Sequence, residues 1–262
     1  MQDILLRADR NAIATLTMNR PGALNALSEE MLAALQTELD RIAEDGSIRA
    51  VVIKGAGKAF CAGHDLKQMT AARQAGDGGK AYFNALFAQC GRLMTSITKL
   101  PQPVIAQVHG IATAAGCQLV ASCDLAVAAE GTRFGVNGIN IGLFCSTPMV
   151  ALSRNIPRKQ AFEMLTTGEF IEARRAETLG LINRTVPDEQ LESTTTELAE
   201  KLASKLGVAL KVGKQAFYNQ LEKGLEEAYA YTGEIMAENM LYNGTEQGIA
   251  AFLDKRKPEW QQ

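Results

Sequence analysis

Apolar and polar residues alternate through the first stretch of the chain. LLRAD and AIATLTMN each repeat with the period of two expected of strands, and the polar pair Arg10-Asn11 lies between them as a turn. Pro21-Gly22 then breaks the pattern. After Ser28 the period changes: Leu32, Leu35, Leu39 and Ile42 recur at helical spacing, with Ser28 as N-cap and Glu30 in the first turn. Ala50-Val51-Val52-Ile53 is a continuous apolar run between turn signals, as a strand buried on both faces requires. The Gly-rich stretch KGAGKAFCAGHDLKQM follows, then a small, polar segment from Ala71 to Lys80 that reads as a mobile loop. Helical spacing returns from about Lys80 to Ile97. PQPVIAQVHG reads as a strand closed by glycine, ATAAGCQLVASCD as a helix of small residues, and LAVAAE as a further strand. The repeated order of strand, small-residue turn and helix is that of an α/β fold with parallel strands.

From Glu189 onward the pattern is helical alone. Leu191, Leu198, Leu202 and Leu206 form one stripe, followed by segments at Val212–Leu221, Leu225–Leu241 and Glu246–Leu253. Helices that follow an α/β core in this way are expected to dock on a neighbouring subunit. The expected division is a core over residues 1–195 and a helical oligomerisation region over 196–262.

Composition narrows the classes. The 262 residues are 47% hydrophobic and 21% charged, an ordinary globular balance with ample apolar surface for a core. The formal net charge of −2 gives no basic footprint for nucleic acid. Lys255-Arg256-Lys257 is the longest basic cluster, enough for a few phosphates. The five cysteines, at 61, 90, 117, 123 and 145, are odd in number and never spaced CxxC. That disfavours a metal site or a disulfide framework and favours a reducing compartment. The first residues carry neither a charged region followed by an apolar one nor an Arg-rich, acid-poor leader, and no apolar run approaches the ~20 residues that span a bilayer. A cytoplasmic protein that enters no membrane is expected.

Two segments carry candidate chemistry. The Gly-rich loop lacks GxGxxG, and Ala59 follows Gly57-Lys58 where a phosphate-binding loop needs Ser or Thr. Ala62-Gly63-His64-Asp65-Leu66 is either a plain strand-to-helix turn or a loop whose backbone N–H groups face a ligand. In VIAQVHGIATAAGCQLVASCD, a buried strand ends at Gly110 and Ala114-Ala115-Gly116 opens a helix. Its N–H groups either serve tight packing or stabilise an oxyanion. His109 reads as structural, and Asp65 and Asp124 as capping residues.

Taken together, AFCAGHDLKQM and PVIAQVHGIATAAGCQLVASCDLAVAAEGTRFG resemble the two signature stretches of the crotonase (enoyl-CoA hydratase/isomerase) superfamily. NRPGALNAL, LTTGEFIEARRAETLGLINRTVP and EQGIAAFLDKRKPEW extend the likeness from about Leu5 to Trp260. AAGCQLVASCD and NIGLFCSTP resemble in particular the group of third enoyl-CoA hydratase domain-containing proteins.

The resemblance implies a spiral of ββα units in two sheets. It also implies a C-terminal helical region used to form a homotrimer or a dimer of trimers. The substrate it implies is an acyl-CoA thioester, with coenzyme A part of the substrate and no separate cofactor or metal. His64 and Ala115 would supply the two backbone N–H groups of an oxyanion hole. Ala62, His64 and Leu66, with Lys67 nearby, would lie along the coenzyme, and Phe252 and Lys255 would reach a neighbour's coenzyme phosphates.

The sequence departs from the hydratases at the two glutamates that place and deprotonate water and protonate the α-carbon. These positions fall at Gln118 and Gly138. Gln118 holds water but cannot take its proton at neutral pH, and Gly138 does neither. One acid–base group contributes roughly 10²–10⁴-fold, so standard hydratase activity is expected to be lost. Glutamates returned to both positions would be expected to raise any residual rate. Cys145 is either a small apolar turn residue or a nucleophile, and the His64 imidazole is a further candidate. Three readings stay open: an acyl-CoA enzyme of other chemistry, a non-catalytic acyl-CoA sensor, and a hydratase with an unrecognised base. Ala112, Thr113 and Ala114 leave room beside the thioester, with the opposite wall expected in the 70–80 loop.

Overall fold

A computed structural model describes residues 3–260. Strands β1 (Leu5–Arg10) and β2 (Ile13–Met18) form an antiparallel hairpin, as the alternation predicts. Its turn is Asn11-Ala12, one residue beyond the expected pair, with φ of 51° and 61° at the two positions. That double left-handed turn matches the twist of a two-residue hairpin. Helix α1 (Glu29–Glu44) starts where Ser28 accepts from the Met31 N–H, and it buries Leu32, Leu35, Leu39 and Ile42. Strand β3 (Ala50–Gly55) is buried along its apolar run.

Helix α2 (Leu66–Ala72) enters the segment expected as a loop, capped by Asp65 through the Lys67 N–H. Asp77 organises the remaining turn by accepting from the Gly79 and Ala81 N–H groups at the start of α3 (Lys80–Lys99). Strands β4 (Val104–Val108) and β5 (Ile111–Thr113) flank Gly110, and α4 (Ala115–Ser122) follows. Then come β6 (Leu125–Ala129) and β7 (Arg133–Gly135), α5 (Pro148–Asn155), α6 (Arg158–Thr167), β8 (Ile171–Glu172), α7 (Ala173–Leu179) and β9 (Arg184–Val186).

The strands make two sheets. One has six strands in the order β1-β2-β3-β4-β6-β9, all parallel from β2 to β9, and the other has three in the order β5-β7-β8. Twice the chain passes from the large sheet to the small one and on into helix, first at β4-β5 and again at β6-β7. This is the α/β spiral of ββα units that the sequence implies. The main core lies on the α1, α3 and α4 side of the large sheet.

Helix α8 (Leu191–Ala203) covers the opposite face, where Leu198, Ala199 and Leu202 meet Ile13, Ala50, Val52 and Ile105. The position 195–196 falls within this helix. Beyond it, α9 (Gly207–Gln220), α10 (Leu225–Met240) and α11 (Asn243–Leu253) follow the expected stripes. Helix α10 buries no residue in the single chain, and Tyr229, Met236 and Met240 on it stay more than half exposed.

Asp124 does not act as a cap. It is largely covered and accepts from the Val104 N–H at 2.6 Å, from Lys214 Nζ at 2.6 Å and from the Tyr218 hydroxyl at 2.8 Å. Lys214 completes its shell by donating to the Ile97 and Gln102 carbonyls. Burial pushes the Asp124 carboxyl up and the Lys214 ammonium down, and each charge opposes the other's shift. The cluster ties α9 to the core. His109 is structural, its Nε2 lying 2.8 Å from the Gly57 carbonyl.

Candidate acyl-thioester site

Two turns meet beside one cavity. The first carries Gly63 at φ +90° and then His64; the second carries Ala114 at φ 49° and then Ala115. A Cβ on Gly63 would stand 3.0 Å from Ala114 Cβ and 3.1 Å from the Thr113 carbonyl, so the turns touch only because residue 63 is glycine. Ala114 is a non-glycine residue held at positive φ, a strained conformation that the surrounding packing must enforce. The cause is visible on both sides of it. The Thr113 N–H is bound to the Cys61 carbonyl and the Ala114 N–H to the Gly135 carbonyl, which fixes the chain as it leaves β5.

Each positive-φ residue thus precedes a backbone N–H that leaves the hydrogen-bond ladder. Neither the His64 nor the Ala115 N–H has a protein acceptor among the described residues, and both residues line one cavity of about 490 Å³. Ala115 is the first residue of α4, so the partial positive charge of the helix end adds to its donor.

Of the residues singled out from sequence, the fold gathers Ala62, His64, Leu66, Ala115, Gly138 and Cys145 around this cavity. Four lie elsewhere. Lys67 sits on the outside of α2. Phe252 and Lys255 lie at the end of α11, where Phe252 borders a separate groove with Leu206 and Trp260. Gln118 is buried on α4, turned toward α3, with its Oε1 3.9 Å from Cys90 Sγ; it is not part of the cavity wall.

The opposite wall is not the 70–80 segment. The lining comes instead from the stretch 137–148, together with Met69 of α2 and Phe87 of α3. Gly138 lies under a turn in which the Leu143 N–H binds the Gly138 carbonyl at 2.9 Å. A Cβ at residue 138 would stand 2.3 Å from the Leu143 carbonyl oxygen and 2.9 Å from Cys145 Sγ. The room a glutamate would need there is filled by backbone. A glutamate returned to this position has to displace the 143–145 turn.

No Asp, Glu, Lys or Arg lines the cavity among the described residues. Its two titratable side chains are held neutral. Burial lowers the His64 imidazole, opposed in part by the Leu27 carbonyl 3.4 Å from Nδ1. Burial raises the Cys145 thiol, which favours the thiol over the thiolate. The His64 ring also packs edge-on against Phe87, and its Nε2 is buried without a partner.

Sequence reasoning placed Thr113 beside the thioester but missed its polar partner Asn137 as a wall residue. The Thr113 hydroxyl donates to Asn137 Oδ1 at 2.6 Å across the cavity edge. The signal available was slight: two polar residues beside the motif and beside the vacant glutamate position.

The fold is one of ββα turns in two sheets, and the two turns bring the His64 and Ala115 backbone to a single cavity without charged side chains among the described residues. The family comparison agrees. The family model described as enoyl-CoA hydratase/isomerase matches residues 8–262, and the chain belongs to that family. It is 45% identical over 250 residues to the Xenopus laevis protein named enoyl-CoA hydratase domain-containing protein 3, mitochondrial, covering 95% of this chain and 83% of that one. A solved structure named enoyl-CoA hydratase from Mycobacterium smegmatis is 53% identical with a TM-score of 0.95, covering 100% of both chains. Human enoyl-CoA hydratase domain-containing protein 3 is 41% identical with a TM-score of 0.94, over 98% of this chain and 100% of that one. No helix among the described residues is long and apolar enough to cross a membrane.

Proposed function

We propose that the protein binds acyl-CoA thioesters and polarises the thioester carbonyl between the His64 and Ala115 N–H groups, without standard hydratase chemistry. The observation that carries this reading is the pairing of two unsatisfied backbone donors with a cavity that has no carboxylate. Enolate or tetrahedral chemistry at a thioester builds charge on oxygen, and one fixed donor to that oxygen is worth about 3–4 kcal/mol. Hydration needs, in addition, a group to take a proton from water and one to deliver a proton to the α-carbon. Gln118 faces α3 and Gly138 has no side chain, so neither vacated position supplies one.

In this reading Ala62 and Leu66 flank the pantetheine arm, with Lys67 near the coenzyme phosphates. Residues 196–262 assemble a trimer or dimer of trimers, in which Phe252 and Lys255 reach the neighbour's coenzyme. The exposed apolar side chains of α10 and α11 support that assembly. The reading places the protein in the cytoplasm, with free thiols and coenzyme A as part of the substrate.

The test is titration with butyryl-CoA against free CoA, beside hydration of crotonyl-CoA followed by loss of the enoyl-thioester absorbance. The expected result is tighter binding of the thioester and negligible hydration. Turnover at ordinary enzyme rates of ~1–10³ s⁻¹ would overturn the second half of the proposal. Indifference between butyryl-CoA and CoA would overturn the first.

A further inference from the structure

The turn that carries His64 is held by a segment outside the cavity lining, residues 20–27. Leu24 and Asn25 both adopt positive φ there, 49° and 54°. Asparagine tolerates that conformation and leucine resists it, so the pair needs an anchor. Asn25 supplies it. The residue is wholly buried, and its carboxamide bonds only to backbone. Oδ1 accepts from the Arg20 N–H at 2.9 Å, and the Asn25 N–H donates to the Arg20 carbonyl at 3.0 Å, which closes the turn. Nδ2 donates to the Ala56 and Ala59 carbonyls, both at 2.8 Å. Each amide hydrogen therefore has an acceptor. Gly55 at the end of β3 makes the room, since a Cβ there would stand 2.7 Å from Asn25 Nδ2.

From that turn the contacts run along the loop to the donor. The Leu24 carbonyl accepts from the Ala62 N–H at 3.0 Å, and the Leu27 N–H donates to the Gly63 carbonyl at 2.8 Å. Arg20 Nη2 then donates to Asp65 Oδ2 at 3.1 Å. The loop is thus pinned to residues 20–27 both before and after His64. Its other flank is pinned to the segment that leads into the second turn, where the Phe60 and Cys61 N–H groups donate to the His109 and Ile111 carbonyls. A loop free to move would have to be ordered on binding, at a cost in affinity, whereas one held from both flanks presents the His64 N–H already set. Deleting the Asn25 carboxamide removes the bonds to Arg20, Ala56 and Ala59 together and leaves the left-handed Leu24 without support.

We infer that Asn25 is a positioning residue: it sets the His64 N–H against the thioester oxygen and so carries part of the preference for a thioester over free coenzyme A. This rests on the acyl-thioester reading above.

The experiment compares wild type, Asn25→Gly and Tyr218→Phe as full-length proteins. Asn25→Gly suits positive φ and deletes only the carboxamide, whereas Tyr218→Phe deletes a hydrogen bond that the loop does not make. Each is titrated calorimetrically with butyryl-CoA and with free CoA. The carbonyl stretch of bound butyryl-CoA, isotope-labelled at the thioester carbon, is read by difference infrared spectroscopy, since a hydrogen-bonded carbonyl absorbs at lower frequency. The wild type is expected to prefer the thioester and to lower its stretch. Asn25→Gly reduces the preference roughly 5- to 10-fold, the loss of one neutral hydrogen bond, and returns the stretch toward that of the free ligand. Tyr218→Phe changes neither. Asn25→Asp, which keeps the acceptor for the Arg20 N–H and removes both donors, takes the place of Asn25→Gly should the glycine variant fold poorly. A preference that survives Asn25→Gly and Asn25→Asp, or that falls as far in Tyr218→Phe, overturns the inference and leaves the acyl-thioester reading intact. So does a preference lost with the stretch unmoved. A wild type that does not distinguish butyryl-CoA from CoA overturns the acyl-thioester reading and this inference with it.

Discussion

Glutamate at position 138 should damage the protein rather than equip it. The Cβ alone would lie 2.3 Å from the Leu143 carbonyl oxygen, where ordinary contact begins at 3.4 Å, so the 143–145 turn must retreat by about 1 Å. That movement strains the bond from the Leu143 N–H to the Gly138 carbonyl and pushes Cys145 out of its place in the wall. Overpacking of this kind costs about 1–3 kcal/mol, and loss of the hydrogen bond about 1 kcal/mol more. At roughly 2–4 °C per kcal/mol for chains of this size, the melting midpoint falls by about 4–16 °C. Gly138→Ala isolates the steric part and should show most of the same loss. The assays are thermal unfolding and crotonyl-CoA hydration on Gly138→Ala, Gly138→Glu and the pair Gln118→Glu with Gly138→Glu. A double variant that melts within 2 °C of wild type and hydrates at ~1–10³ s⁻¹ would refute the reasoning. It would show that the turn yields and that the cavity accepts a carboxylate.

The remaining expectations concern the frame of the site. Gly63→Ala adds a Cβ 3.0 Å from Ala114 Cβ at φ +90°, and should cost about 1–3 kcal/mol in denaturant unfolding while weakening butyryl-CoA more than free CoA. Lys214→Met leaves the buried Asp124 carboxylate without its cation and should cost about 3–5 kcal/mol, whereas Tyr218→Phe, which removes one hydrogen bond, should cost about 1 kcal/mol. Equal losses in the two variants would show that the charge pair is not what holds α9. His64 is held neutral, its folded pKa lying below the ordinary 6.5. Near that pH the unfolded chain therefore binds more protons, and the stability His64 contributes is present above 6.5 and lost as pH falls below it. Urea unfolding at pH 7.5 and pH 5.5 should show a smaller loss on acidification for His64→Gln than for wild type, and equal losses would contradict the assignment.

The sequence by itself determined the strands and the helices, because each of these is written locally, whereas the two donors were legible only through the family resemblance. A period of two or of 3.6 needs only neighbouring residues. The proposed donors at His64 and Ala115 are backbone groups, so each motif read alone offers little beyond a glycine before His64 and small residues around Ala115. The reading of Gln118 and Gly138 as positions without their glutamates rests on the same resemblance. What faces those donors was decided by packing between distant segments. The wall at 137–148 replaced the expected 70–80 loop because β7 carries the chain back alongside β5, placing Asn137 against Thr113. Gln118 turned toward Cys90 because α3 lies over α4. Asp124, which reads as a cap beside the end of α4, instead meets Lys214, ninety residues further on. A residue's type restricts which partners would satisfy it, but only the tertiary fold brings one of them within 3 Å.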